Sequence, residues 1–272
     1  MYARILVPVD ASAAAAAGFR EALALAHRCR ARLRLVHVLE DLPRSVDTVR
    51  RGRSQFPESQ VLLVAELEAL GALGRLDAIR RILERDRTFR DGSDIEQLGW
   101  RNEAQRELFA HGHLDAGRRL TTETSTWARQ HVVDTVSAAA RYQLGYLRFF
   151  EGRYQEMAAA LAPLTRQRYE AQPALLLLAL GAARRGDTAT VAAYKAALIE
   201  PQTRKDNPAD AAREKLRIAQ IEAALGHRDQ AMAELRAILA TGFIPAVDFH
   251  FVPGIDSLQA NPDFRRLLAR DR

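Results

Sequence analysis

The sequence predicts a mainly α protein, a stack of helical hairpins forming a solenoid, preceded by a short βαβ unit. Three observations carry that expectation. A helix-turn-helix phrase recurs five times at nearly regular spacing, only two short runs look like strands, and Ala, Leu and Arg dominate the composition. Unbranched side chains lose little rotamer freedom in a helix, so such a composition favours helices. At 272 residues, 48% hydrophobic and 27% charged, the chain has the make-up of a folded protein.

The strand-like runs are RILVPV at 4–9 and LRLVHV at 33–38, short and rich in Val, Ile and Leu. Between them lies an Ala-rich stretch with apolar residues at Phe19, Ala22, Leu23, Leu25 and Ala26, the spacing of an amphipathic helix, with Ser12 placed to cap it. A crossover of this length between two strands demands parallel pairing. Residues 42–57 carry two prolines and no periodicity, and they read as a linker.

The helical-hairpin repeats are expected to span residues 58–242. The recurring phrase appears as LGALGRLDAIRRIL at 70–83, LFAHGHLDAGRRL at 108–120, RFFEGRYQEMAAAL at 148–161, GAARRGDTATVAAY at 181–194 and EAALGHRDQAMAEL at 222–235. Each has an apolar helical pattern running into a glycine, then a few polar residues, then a second apolar pattern. The glycines are Gly74, Gly112, Gly152, Gly186 and Gly226, separated by 38, 40, 34 and 40 residues. Glycine adopts the left-handed conformation that ends a helix, so the chain reverses within a few residues. Asp77, Asp115 and Asp229 follow three residues later, where a carboxylate meets the positive end of the next helix. One such pair cannot bury its apolar face alone, and stacking supplies the missing cover. Residues 243–272 lose the periodicity, and Phe243, Ile244, Phe249, Phe251 and Ile255 are expected to cap the open end of the stack.

Two family resemblances follow from these residues. The segment 2–41, with its V-P-V-D strand end, early Ser, Ala-rich helix and second strand ending in H-V, resembles the opening of the universal stress protein family. That resemblance implies an adenine nucleotide such as ATP held against Asp10 and Val38. An isolated pair of strands is marginal in water, so the unit is expected either to pair with a second copy, giving a homodimer, or to dock against the helices. The glycine-rich segment with which that family grips phosphate does not occur here. The hairpin phrases resemble tetratricopeptide repeats; Gly145 and Ala219, seven residues before a turn glycine, match the small position where that family's helices approach. The phrase ANPDFRRLL resembles the end of tetratricopeptide arrays attached to kinases, cyclases or DNA-binding domains.

Catalytic and metal signatures are missing from the sequence. His111 and His113 flank a turn glycine without a third ligand, His37 reads as a core residue of the strand, and Cys29, the single cysteine, has no base beside it. Pairs such as Glu66 with Glu68, and Arg80 with Glu84, read as solvated faces. The net charge of +6 raises nucleic acid, but the Arg cluster at 28–53 lacks interleaved aromatics, so nucleic acid is not the expected partner. No apolar run reaches the eighteen residues of a membrane span, the longest being ALLLLALGAA at 174–183, and the start has no leader pattern. The reading is therefore a non-catalytic, cytoplasmic interaction protein without a cofactor, binding a protein or peptide on the concave face of the array. Tyr142, Tyr146 and Arg148 are groove candidates, and both tyrosines read equally well as core between repeats. The alternatives are a nucleotide-binding stress sensor, or a regulatory module of a separately encoded kinase, cyclase or transcription factor.

Overall fold

A computed structural model describes residues 4–9, 13–29, 32–37, 42–167, 171–199, 208–241 and 253–269. Strands β1 (Arg4–Val9) and β2 (Arg32–His37) pair in parallel, Val7 facing Leu35, across helix α1 (Ala13–Cys29). On α1 the predicted apolar face is only partly covered: Ala26 is buried, whereas Leu23 and Leu25 are exposed.

The fold class expected from the sequence needs correction here. The chain is mainly α, and its N-terminal part is not a short βαβ unit set apart from the helices by a linker, because residues 42–55 are themselves helical. Two six-residue strands are all the sheet that the described residues contribute, too little to form a covered layer. The supposed linker is helix α2 (Leu42–Gln55), which packs on the first helix of the array, α3 (Gln60–Ala72). Proline misled the sequence reading, because Pro43 lies in the first turn of α2, where a missing N–H leaves no hydrogen bond unmade. The basic stretch is not merely solvated either. Arg50 and Arg53 both reach Glu66 of α3, at 2.8 and 2.6 Å, and Arg53 also meets Asp86 at 2.5 Å. Glu66, expected on a solvated face, is buried.

Beyond α2 the helices come in pairs: α3 with α4 (Leu76–Arg85), then, after the short α5 (Arg87–Asp91), α6 (Asp94–Ala110) with α7 (Leu114–His131). The next are α8 (Ala138–Phe150) with α9 (Tyr154–Leu161), α10 (Ala171–Arg184) with α11 (Thr188–Ile199), and α12 (Pro208–Ala224) with α13 (Arg228–Leu239). All five turn glycines have positive φ, between 67° and 84°. In every turn the N–H of the residue after the glycine donates to the carbonyl five residues back, as from Arg75 to Leu70 at 2.9 Å and His113 to Leu108 at 2.8 Å. That bond satisfies a carbonyl the ending helix leaves orphaned. Asp77, Asp115 and Asp229 fall in the first turns of α4, α7 and α13.

Each pair packs on the next through its first helix: α3 on α6, α6 on α8, α8 on α10, α10 on α12. Small residues set the approach within a pair. A Cβ on Gly145 would stand 2.6 Å from the Leu161 side chain, so any side chain there would have to displace Leu161 where α8 and α9 approach. Ser59, Ser93 and Ser137 cap α3, α6 and α8, Ser93 in a full capping box with Glu96. Between the last two pairs, buried Glu222 holds Lys195 and His227, the latter at 2.7 Å. Burial would raise this carboxyl, but those two partners hold it below the usual carboxylate range.

The array ends in a cap. Residues 253–258 and helix α14 (Pro262–Ala269) bring Ile255, Leu258, Phe264 and Leu267 onto the core of the last pair. Of the expected capping residues, Ile255 is buried at 2% exposure, and Phe243, Ile244, Phe249 and Phe251 lie outside the described residues. Gly254 makes the cap fit: its φ is +94°, and a Cβ would stand 2.7 Å from the Gln220 carbonyl oxygen.

Gly226, which has open space around it, isolates the left-handed penalty. Gly226→Ala should lower stability by about 1–2 kcal/mol. Gly254→Ala combines the same strain with a backbone collision and should lower the urea midpoint further than Gly226→Ala.

Candidate functional site

Three of the array's pairs and the cap converge on one pocket of about 330 Å³. It lies where the α6–α7 and α8–α9 turns meet the end of α10 and residues 253–264. The volume is at the lower end of the ~300–1,000 Å³ usual for ligand sites. In a chain only 7% aromatic, five rings line this pocket: Phe109, Phe149, Phe150, Tyr154 and Phe264. Phe109 and Phe150 stack with centroids 5.3 Å apart, and Phe149 meets Tyr154 edge-on at 5.9 Å. Gly117 leaves room for the Phe109 ring, which a Cβ would meet at 2.9 Å.

The polar lining comes from Arg106, Arg118, Arg184, Asp256 and Gln259. Arg184 pairs with Asp256 at 2.5 Å, and the Gln259 amide donates to the Ala110 carbonyl, so the cap is tied both to α10 and to the second pair. Buried Gln220 donates to the Pro253 carbonyl at 2.8 Å, and Ser257 to that of Ala223 at 2.8 Å. The wall of the pocket is thereby fixed from both sides.

Behind the pocket, Arg106 stands among three carboxylates. It meets Glu103 at 2.5 Å, Glu107 at 3.0 Å and Glu68 at 3.2 Å. Burial pushes the Glu68 and Glu103 carboxyls up, with Arg106 opposing. For Arg106 itself, desolvation would weaken its hold on the proton, but the surrounding acids outweigh it and keep the guanidinium above its ordinary range. The other oxygen of Glu107 faces His111 Nε2 at 3.6 Å. Burial lifts the Tyr142 hydroxyl to about 12 and raises Tyr146 too. Tyr146 is core, Tyr142 packs against it, and Arg148 pairs with Glu151 at 2.6 Å, so these groove candidates serve the packing of α8.

Arg101 is a different case. Its guanidinium lies 4.5 Å from the Trp127 ring and 5.3 Å from Phe89, and among the described residues no carboxylate pairs with it. Desolvation pulls it down to about 10.

The remaining sequence candidates scatter. Asp10 and Val38 lie outside the described residues. His113 Nε2 is 3.0 Å from the Ala72 carbonyl, bracing one turn against the previous one, so it does not converge with His111 on a common ligand. Arg80 pairs with Glu123 of the next pair at 2.5 Å and with Asp77, not with Glu84. Among the described residues no helix is long and apolar enough to cross a membrane. The pocket was missed in the sequence because its residues come from four separate stretches. The only available signal was the crowding of aromatics at 149–154 beside a turn.

Buried Arg101 and half-buried Arg106 should respond differently to removal of charge. Arg106→Met leaves three acids facing one another and should destabilise by roughly 3–5 kcal/mol. Arg101→Met exchanges a desolvated, aromatic-stacked charge for an apolar chain and should change stability by under about 1 kcal/mol. Chemical denaturation of both variants checks the contrast.

Comparison with known proteins adds one finding to this geometry. Residues 1–107 match the family model described as Universal stress protein family. No curated protein and no solved structure matches the chain. The match runs past residue 41, through α2 and the first pair and into α6, where the described residues are helical and add no strand. The N-terminal part of the chain is therefore similar to that family, over less than half of its length.

Proposed function

We propose that the chain is a non-catalytic, cytoplasmic binding protein whose hairpin array, similar to tetratricopeptide repeats, takes a protein or peptide partner. The observation that carries this reading is the pocket shared by three pairs and the cap. Large aromatic and Arg side chains in a partly enclosed pocket are the groups that most often anchor partners. The likeness of ANPDFRRLL to the ends of arrays attached to effector domains supports a separately encoded kinase, cyclase or transcription factor as the partner. Affinity capture with the full chain tests this. Phe150→Ala, at the centre of the aromatic cluster, should lose the captured partner, whereas Val133→Ala, on an exposed loop outside the pocket, should keep it. Equal recovery by both variants would remove the pocket from the reading.

The family match favours a second reading, a stress-related sensor with adenine nucleotide held at the N-terminus by Asp10 and Val38 and the sheet extended by a second copy of the chain. Ligands of open parallel sheets sit beyond the carboxyl ends of the strands, which is where both residues fall in the sequence. Millimolar ATP should then raise the melting temperature of the protein, and Asp10→Ala should abolish the shift. An unchanged melt with ATP would dispose of the sensor.

A further inference from the structure

The charges around the pocket are unequally matched. Arg106 is held from behind by Glu68, Glu103 and Glu107, and Arg184 is occupied by Asp256. Among the described residues the Arg118 side chain pairs with Asp115, at 3.3 Å, with their side chains 69% and 88% exposed. A pair so open to water holds its partners weakly. The lining thus presents one guanidinium able to change partners, beside an apolar wall made by Phe109, Phe149, Phe150 and Leu114.

The cap shows how the array handles such chemistry. Ile255 is buried and the adjacent Asp256 lies on Arg184, so an apolar group followed at once by a carboxylate already sits against the end of α10. The most loosely held guanidinium of the lining can take one carboxylate in place of Asp115, whereas a polyphosphate would bring several charges beside Asp256, Glu103 and Glu107.

We infer that this pocket takes a single carboxylate carried on an apolar or aromatic body, with Arg118 holding the charge and Phe109, Phe149 and Phe150 the body. The inference rests on the pocket being the binding site proposed above, and it names the chemistry recognised there. Because the second and third pairs and the cap all contribute walls, an occupant also ties the end of the array to its middle.

The test uses the full chain and calorimetric titration with 3-phenylpropionate and its neutral amide. The acid should bind saturably, and the amide about threefold more weakly, the loss expected for an ion pair on an exposed guanidinium. Arg118→Gln, a surface change that leaves the core intact, should bring the acid down to the amide's affinity and leave the amide unchanged. A peptide arm compares acetyl-Gly-Ile-Asp-Ser-amide with its Asn counterpart. Asp-dependent binding of the peptide assigns the carboxylate to a partner's chain, and binding of the free acid alone assigns it to a small molecule; either supports the inference. Equal affinities for acid and amide, or an Arg118→Gln variant that binds like the parent, would overturn the carboxylate while leaving the pocket as the partner's site. If no probe binds and Phe150→Ala still captures the partner, both the inference and the site reading fall.

Discussion

Everything downstream in this molecule depends on a chain reversal made the same way five times. At Gly74, Gly112, Gly152, Gly186 and Gly226 the backbone enters the left-handed region, and the next N–H bonds back to the carbonyl five residues earlier. The reversal aligns the second helix of each pair against the first within two or three residues, without any long loop whose closure would have to be offset. The same geometry fixes which faces are left bare. Each first helix is covered on one side by its partner and on the other by the neighbouring pair, so stability spreads along the stack in nearest-neighbour steps.

Charge burial is the second theme, and it is handled in two distinct ways. Around Arg106 the positive group is over-compensated by acids from α3 and α6, so the contact between these helices is polar as well as apolar. Arg101 instead lies against the faces of Trp127 and Phe89, with Glu123 and Glu84 near enough to favour its charge without pairing with it. Helix α2 joins the array by a third arrangement, two arginines converging on buried Glu66. In each instance a charge that looks solvated in one dimension is desolvated by a helix far along the chain.

The cap turns a repeating stack into a finite object with one distinctive corner. Residues 253–259 seal the last pair and also reach back to Arg184 and Ala110, bringing the α6–α7 and α8–α9 turns under the same roof. Similarity to the universal stress protein family lies at the other end, in residues 1–107, and overlaps the first pair and part of α6. The family boundary therefore does not coincide with the change from strand to helix pattern near residue 41.

What the sequence by itself determined was local: five reversals, because glycine alone tolerates positive φ cheaply; the acidic first turns of α4, α7 and α13; the small residue at Gly145; and a C-terminal cap containing Ile255. The reversals and acidic first turns depend on contacts within a few residues, and the small residue and the cap on the nearest helices in the chain, so all of them leave a local mark. Tertiary structure alone decided that 42–55 is a helix despite its proline and charges, because its reason for folding is Glu66 on another element. It alone decided that Tyr146 faces the core and that Arg118, Phe150 and Asp256 share a pocket. Residues more than a hundred positions apart meet only through the cumulative rotation of stacked pairs, and no spacing within a single stretch of sequence records that angle.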